Sequence, residues 1–315
     1  MKTKYYIGMD IGGSKTDAVI TDASNKVIIR GAYGGFNIRT AELPVFIESI
    51  KNIIDDLLNR KELSKEEVEF VSLAAAGAGD DEQRSEWEEK LMGSIPGLKF
   101  HIITDAEAAL AGAFNGNPGI IVIAGTGSIA WGKDHDGKTA RMGGYGYLLG
   151  DEGSGYWIGK KALKTALNHH YKGENSALGT EIMIRWDLTE LPLAINKIYS
   201  ASHPAAETAS IARIVFDLDN AGEMESRKIV NKAGKKLGKL AAGCADILNC
   251  KPPVPVCLLG GIGARILLFP KYFKHELSKF GGGLAEPLYE PAVGAVIAVS
   301  EGKKFTTNKA NNIHW

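Results

Sequence analysis

Two short glycine-rich turns in the sequence are suited to binding a phosphate group. They are residues 12–14 (Gly-Gly-Ser) and 125–128 (Gly-Thr-Gly-Ser), and β-rich runs flank both. Such turns can direct successive backbone N–H groups at an anion, and glycine lets a phosphate approach the main chain closely. Side-chain hydroxyls add donors at Ser14, Thr16, Thr126 and Ser128. One turn of this kind is weak evidence, but two at matching positions of a repeat predict that a polyphosphate is held from both sides.

Neither turn fits the two common nucleotide-binding sequence motifs. Residues 8–16 nearly spell a P-loop, but one extra residue separates Gly13 from Lys15, and a strand rather than a helix is expected to follow. Residues 125–130 are followed by another strand-like segment and lack the acid that a dinucleotide fingerprint carries about 20 residues further on. Both stretches are therefore predicted to be hairpin turns.

Carboxylates stand beside these turns and inside a third glycine-rich stretch. Asp10 ends the first predicted strand, and a carboxylate near phosphates commonly holds Mg²⁺, often through water. Asp105 lies at a strand-to-helix junction, where it is either a helix N-cap or a general base for a substrate hydroxyl. Asp151 and Glu152 lie within the glycine-rich residues 143–155, where their carboxylates could hydrogen-bond the hydroxyls of a polyol.

Composition argues against several broad classes of function. The 315 residues include 37 Lys and Arg against 37 Asp and Glu. The sequence therefore lacks the basic excess that is typical of a nucleic-acid-binding protein. The three cysteines form no Cys-x-x-Cys pair, which argues against a disulfide framework and a Cys-rich zinc site. No export signal or apolar stretch of membrane-spanning length is visible. We therefore expect a cytoplasmic protein with reduced thiols and no membrane partner.

The predicted elements repeat along the chain and divide it into two α/β domains. Three short strands, expected to form an antiparallel meander, precede strong helical periodicity over residues 43–58. The clearest break is Asn-Gly-Asn-Pro-Gly at residues 115–119, after which a strand, a glycine turn and a return strand begin again. We predict three parts: an N-terminal domain (1–116) completed by a C-terminal helix at about 289–302, a C-terminal domain (117–288) and a tail (303–315).

The second domain is predicted to be rich in helices. Helical periodicity covers residues 154–171, 205–216 and 226–248. A strand over residues 253–259 then runs into the glycine-rich residues 260–263, and the last helix has proline in its first turn.

At these residues the chain resembles the acetate and sugar kinase/Hsp70/actin superfamily, and within it the group that unites N-acetylglucosamine kinases with the BadF/BadG/BcrA/BcrD ATPases. The resemblance covers residues 5–300. Its most specific stretch is residues 143–159, Gly-Gly-Tyr-Gly-Tyr-Leu-Leu-Gly-Asp-Glu-Gly-Ser-Gly-Tyr-Trp-Ile-Gly. The turn at residues 10–16, Thr104-Asp105-Ala106 and the glycine runs at 125–128 and 260–263 fall in the order expected of the family.

The resemblance implies two ribonuclease-H-like domains of the actin-like ATPase fold flanking a central cleft, with ATP and Mg²⁺ as cofactors. It implies that Asp105 is the catalytic base. The assignment of Asp10 as the Mg²⁺ ligand is consistent with this resemblance. The implied nucleotide contacts are Gly12, Gly13, Ser14, Lys15 and Thr16, then Gly125, Thr126, Gly127 and Ser128, and finally Gly260, Gly261 and Gly263. The implied sugar contacts are Asn37, Gly77, Asp105, Gly144, Tyr145, Asp151 and Glu152.

The leading hypothesis is an ATP-dependent kinase that transfers the γ-phosphate to the 6-hydroxyl of an amino sugar, with N-acetylglucosamine as the first choice and glucosamine as the alternative. A rival is an ATPase that activates an acyl-CoA dehydratase or reductase through an iron–sulfur cluster. Such activators place paired cysteines after their glycine-rich segments, whereas Cys244, Cys250 and Cys257 lie elsewhere. A non-catalytic sugar or nucleotide sensor is the third possibility. The family also implies a homodimer.

Overall fold

The computed structural model describes residues 4–36, 42–75 and 77–300. The chain forms two compact units. Unit 1 comprises Met1–Gly119, Lys133–Thr139 and Glu286–Trp315, and unit 2 comprises Ile120–Gly132 and Ala140–Ala285. Within residues 4–36, 42–75 and 77–300, no helix is long and apolar enough to span a bilayer.

Ten strands and thirteen α-helices are found in the described residues. The strands are β1 (Tyr5–Ile11), β2 (Lys15–Thr21), β3 (Val27–Gly34), β4 (Val68–Ala75), β5 (Phe100–Thr104), β6 (Gly119–Ala124), β7 (Ser128–Lys133), β8 (Thr139–Gly143), β9 (Val254–Leu259) and β10 (Gly282–Leu284). The helices are α1 (Leu43–Asn59), α2 (Asp81–Ser94), α3 (Asp105–Phe114), α4 (Gly146–Leu149), α5 (Gly155–Tyr171), α6 (Ala177–Trp186), α7 (Leu193–Tyr199), α8 (Pro204–Ser210), α9 (Ala212–Asn220), α10 (Met224–Leu248), α11 (Gly260–Ile266), α12 (Lys271–Ser278) and α13 (Pro291–Ser300).

The sheet of unit 1 has the strand order β3-β2-β1-β4-β5. β2 pairs antiparallel with both β1 and β3, which confirms the predicted meander. β4 is parallel to β1, and β5 is parallel to β4. The register aligns Ala75 with Ile11 on one side and with Thr104 on the other, so the carboxyl ends of β1, β4 and β5 share one edge. Asp10, Gly77 and Asp105 therefore lie at that edge.

The apolar stripe of α1 explains why the helix lies on this sheet. Phe46, Ile50, Ile54 and Leu57 recur at three- and four-residue steps and are fully buried. They belong to one core with the inward-facing residues of β1 and β4. The predicted helical period over residues 43–58 is confirmed.

α13 packs against α3 at backbone distance. A Cβ on Gly294 would lie 2.0 Å from Ala108 O and 2.7 Å from Gly112 N, so the two helices approach as closely as they do only because glycine stands there. Tyr289 N–H donates to Gly112 O at 3.0 Å and joins the segment before α13 to the end of α3.

The sheet of unit 2 repeats the order of unit 1. Its strands run β8-β7-β6-β9-β10, with β9 parallel to both β6 and β10. β6 thus occupies the place that β1 has in unit 1, and a glycine-rich turn follows each of these two strands. The repeat predicted from the strand–turn–strand pattern is confirmed.

The helical periodicity predicted over residues 205–216 is confirmed, except that a break at Ile211 divides the region into two shorter helices, α8 and α9. Thr208 Oγ1 donates to Pro204 O at 2.8 Å, and Ser210 Oγ donates to Glu207 O at 2.7 Å. Hydroxyl groups that bond back to the preceding turn compete with continuation of the backbone ladder. The break therefore falls at the end of this Ser/Thr-containing helix.

Candidate active site

The turn between β1 and β2 is held against the chain that follows β3. Gly12 N–H donates to Lys15 O at 2.9 Å, and Phe36 N–H donates to Gly12 O at 3.0 Å. A Cβ on Gly35 would lie 2.4 Å from Lys15 N and 2.5 Å from Gly12 O, so a side chain would displace the turn. These contacts fix the turn while Ser14 stays exposed.

Thr16 does not face solvent. Its side chain is buried, and its hydroxyl donates to Gly34 O at 3.0 Å, which joins β2 to β3. We therefore leave this hydroxyl out of the proposed phosphate donors. Lys15 Nζ lies 2.6 Å from Asp17 Oδ2 and remains largely exposed. The exposed residues of the first turn are Gly13, Ser14 and Lys15.

Two carboxylates at the carboxyl edge of the unit 1 sheet have perturbed ionisation. The pKa of Asp10 is raised to about 6, first by burial and then by the negative charges of Asp105 and Asp17. Burial also raises the pKa of Asp105, against the lowering effect of the N–H groups of Ala106 and of Asp105 itself. Ala106 N–H donates to Asp105 Oδ1 at 2.9 Å. A raised pKa makes a carboxylate a better proton acceptor, which suits Asp105 to general-base chemistry.

Thr104 rather than Asp105 caps α3. Glu107 N–H donates to Thr104 Oγ1 at 3.1 Å, and Thr104 N–H donates to Glu107 Oε2 at 2.7 Å, which together form a capping box. Arg84 Nη1 lies 3.5 Å from the same Glu107 oxygen. The interpretation of Asp105 as an N-cap is therefore wrong. Glu107 is not among the predicted site residues, although the spacing Thr-x-x-Glu is the pattern that predicts such a box.

Gly77 and Asn37 are the other two predicted sugar contacts in unit 1. Gly77 follows β4 with a φ of 89°, a left-handed conformation that favours glycine over other residues. Asn37 lies outside the described residues.

The acidic groups near Asp10 fit Mg²⁺. Their donor atoms are carboxylate oxygens, and a divalent cation would offset the repulsion that raises the pKa of Asp10. In the described part of the chain, no three His, Cys, Asp or Glu side chains group so as to hold a metal by themselves. Mg²⁺ usually keeps several waters and binds one or two carboxylates together with substrate phosphates, so a complete protein cage is not required.

We expect the Asp10→Asn variant to be more stable than the parent protein at pH 7.5, with the gain disappearing near pH 4. The folded pKa of about 6 lies above the ordinary value of 3.8, so protonated Asp10 stabilises the fold below pH 4 and this contribution is lost as the pH rises through 6. A rise of about two in pKa corresponds to about 3 kcal/mol.

Melting temperatures of the ligand-free proteins between pH 4 and pH 8 test this expectation. Asp136→Asn, at an exposed loop position, is the control and should follow the parent protein at every pH. A gain that is the same at all pH values would contradict the assignment to Asp10 ionisation.

The turn between β6 and β7 is fixed by the start of α5. Gly125 N–H donates to Gly127 O at 2.9 Å. Gly155 N–H donates to Gly125 O at 2.8 Å, and Tyr156 N–H donates to Thr126 O at 3.1 Å. The carbonyl groups of residues 125–127 are thus all bonded within unit 2.

The two predicted sugar-binding acids have different surroundings. Asp151 is buried, and its Oδ1 accepts from Ser128 N–H at 3.1 Å. Ser128 Oγ donates to the backbone oxygen of Glu152 at 3.0 Å. The Glu152 carboxylate is half-exposed and lies 3.0 Å from Lys236 Nζ. Asp151 therefore contacts the second glycine turn directly, whereas the Glu152 side chain points to a neighbouring lysine.

Gly144 and Tyr145 lie beside the same turn. Gly144 N–H donates to Ser128 O at 3.0 Å, and its φ of 69° requires a left-handed backbone. Tyr145 follows and is partly exposed. The stretch of residues 143–155 thus surrounds the second turn, which explains why this part of the sequence is so rich in glycine.

The glycines at the start of α11 also reach this region. A Cβ on Gly260 would lie 2.4 Å from Ala124 O, at the end of β6, and the φ of Gly260 is 85°. A Cβ on Gly261 would meet no atom within 4 Å, whereas Gly263 packs on Leu258. The structure therefore brings residues 125–128, Gly144, Asp151 and Gly260 together within unit 2.

Two five-stranded sheets of one order, each with a glycine turn after its central strand, define an ATPase-type α/β fold. The chain belongs to the BadF/BadG/BcrA/BcrD ATPase family, which it matches over residues 7–299. This membership supports ATP as the nucleotide.

Curated relatives and solved structures agree with this family. The chain is 34% identical over 279 residues to the N-acetylmuramic acid/N-acetylglucosamine kinase of Clostridium acetobutylicum, covering 88% of this chain and 90% of the relative. It is 27% identical over 327 residues to the N-acetyl-D-glucosamine kinase of Dictyostelium discoideum, covering 96% and 100%. The structure of a candidate N-acetylglucosamine kinase from Chromobacterium violaceum matches with a TM-score of 0.71 at 24% identity, covering 95% and 100%. The predicted two-domain fold is confirmed.

Proposed function

We propose that the protein is an ATP-dependent kinase that transfers the γ-phosphate to the 6-hydroxyl of an amino sugar, with N-acetylglucosamine as the preferred acceptor. The observation that carries this proposal is Asp105, a carboxylate at the carboxyl edge of the unit 1 sheet that has a raised pKa and does not serve as the cap of its own helix. The names of the Clostridium and Dictyostelium relatives support the class of acceptor.

Asp105 acts as the general base in this proposal. Its carboxylate accepts the proton of the 6-hydroxyl while that oxygen forms a bond to the γ-phosphorus. The bond between the γ-phosphorus and the bridging oxygen breaks, and ADP leaves. A base contributes about 10²–10⁴-fold to the rate, and positioning of the reactants contributes about 7–11 kcal/mol, so most of the acceleration comes from orientation.

Each unit offers its own groups to the nucleotide. The proposed contacts are Gly12, Gly13, Ser14 and Lys15 in unit 1, and Gly125, Thr126, Gly127, Gly260, Gly261 and Gly263 in unit 2. Asp10 would hold Mg²⁺, which would neutralise charge on the phosphates. Because Ser128 N–H and Ser128 Oγ are both bonded within unit 2, Ser128 supports the turn rather than donating to a ligand.

The proposed sugar contacts besides Asp105 are Asn37, Gly77, Gly144, Tyr145, Asp151 and Glu152. A homodimer, expected from the family resemblance, and a cytoplasmic location, expected from the composition, remain predictions.

The cysteines do not favour a role as an iron–sulfur activator. Cys244 and Cys257 are buried, and Cys250 is half-buried. Burial raises the pKa of the Cys244 thiol to about 12, which keeps it protonated, whereas cluster ligation needs a thiolate.

A coupled ADP-release assay with a panel of sugars tests the proposal. We expect N-acetylglucosamine to stimulate ADP release, and a 6-phosphate to be the product by mass spectrometry and NMR. Glucosamine, N-acetylmuramic acid and glucose measure specificity, and 6-deoxy-N-acetylglucosamine is the control that lacks the acceptor. If no sugar raises ADP release above the background hydrolysis, the kinase proposal fails.

A further inference from the structure

The bonded carbonyls of the second glycine turn determine where its N–H groups point. Gly125 O and Thr126 O both accept from the start of α5, at 2.8 Å and 3.1 Å. In a trans peptide the C=O and the N–H point in opposite directions. The N–H groups of Thr126 and Gly127 share these two peptides and therefore face away from α5. In the described ranges, neither N–H has a hydrogen-bond partner.

The next N–H of the turn, that of Ser128, is taken by Asp151. The Asp151 carboxylate is 3.1 Å from this nitrogen, and the residue is only 9% exposed. Its φ of 58° lies in the left-handed region, which Asp and Asn adopt more readily than most other residues. Gly127 leaves the carboxylate its space, because a Cβ there would lie 2.7 Å from Asp151 Oδ2. The carboxylate therefore lies directly against the Gly127–Ser128 peptide.

A carboxylate in this place is suited to acting through the turn. Its negative charge would repel a phosphate at close range, so direct binding of the nucleotide by Asp151 is unfavourable. Its hydrogen bond to Ser128 instead fixes the last peptide of the turn, as the start of α5 fixes the first two.

We propose that Asp151 is a positioning residue for the nucleotide: it orients the second glycine turn so that the N–H groups of Thr126 and Gly127 form a two-donor site for a phosphate. This inference rests on the proposed function and adds a nucleotide-side role that the predicted sugar contact of Asp151 does not include. The hydroxyl of Thr126 is the third donor available to the same phosphate.

Calorimetric titration with Mg²⁺ and a non-hydrolysable ATP analogue, in the absence of sugar, tests this role separately from sugar binding. We expect Asp151→Gly to weaken nucleotide binding by about tenfold, because glycine accepts the positive φ but leaves Ser128 N–H without its acceptor. Asp151→Asn keeps an acceptor oxygen and tolerates the same backbone, so it should restore most of the lost affinity. The control is Asp187→Gly, the same substitution at an exposed helix C-cap with a φ of 52°.

A second variant keeps the test sharp if Asp151→Gly does not fold. Gly127→Ala places a methyl group on the Asp151 side of the turn, so it should displace the carboxylate and weaken nucleotide binding to a similar extent. A folded Asp151→Gly or Gly127→Ala protein that binds the analogue as tightly as the parent protein would overturn the positioning role. The positioning role would also be overturned if either variant raised the KM for sugar and left nucleotide binding unchanged. If the parent protein itself binds no nucleotide, the proposed function fails as well.

Discussion

The Asp105→Asn variant is expected to lose turnover by about 10²–10⁴-fold while it binds nucleotide and sugar as tightly as the parent protein. Asparagine has the same shape and can still accept the hydrogen bond that Ala106 N–H donates to Asp105 Oδ1 at 2.9 Å. It cannot take the proton of the acceptor hydroxyl at neutral pH. The loss therefore falls on kcat, which ADP release measures, and not on the dissociation constants, which calorimetry measures.

Asp81 provides a matched control for this experiment. It is the first residue of α2 in the same unit, as Asp105 is the first residue of α3, but its carboxylate forms an ion pair with Arg84. Asp81→Asn should therefore retain the parent turnover. Parent-like turnover in Asp105→Asn would remove Asp105 from the mechanism, and an equal loss in both variants would show that the effect is not specific to the proposed base.

The Gly294→Ala variant is expected to lower the free energy of unfolding by about 3 kcal/mol or more, or to prevent accumulation of folded protein. The added Cβ would lie 2.0 Å from Ala108 O, which is backbone and cannot rotate away. α13 would have to move off α3, and the apolar contacts of Ala292, Val293 and Ile297 would be lost with it. Denaturant unfolding followed by circular dichroism measures the change.

Gly93→Ala is the matched control, because it makes the same substitution in a helix where a Cβ would meet no atom within 4 Å. Alanine is a better helix former than glycine, so this variant should be as stable as the parent protein or up to about 1 kcal/mol more stable. Equal stability of Gly294→Ala and the parent protein would mean that α3 and α13 are less closely packed than the structure shows.

Much of the fold could be predicted from local patterns. The stripe of α1 has the helical period, turn residues follow β1, and turn residues lie on both sides of β6. Short helices such as α7 and α12 were not predicted, because helices of this length depend on tertiary packing more than on their own sequence. The break between α8 and α9 was also missed, because it depends on how the hydroxyls of Thr208 and Ser210 bond back to the preceding turn.

The residue types of the site could be predicted, but the directions of their side chains could not. Thr16 stands next to the first glycine turn, yet its hydroxyl bonds Gly34, a residue 18 positions away on β3. Asp151 lies in a segment that resembles a sugar-binding motif, yet its carboxylate bonds Ser128, 23 positions away. Both contacts join segments distant in the sequence, and no spacing rule within one segment determines them.

The packing of α13 on α3 has a consequence for the order in which the protein is made. Synthesis proceeds from the amino terminus, and residues 120–285 are translated before α13. The surface of α3 around Ala108 and Gly112 therefore stays uncovered until α13 itself has left the ribosome. A chain released early would display this apolar surface permanently, and chaperones and proteases act on such exposed surfaces.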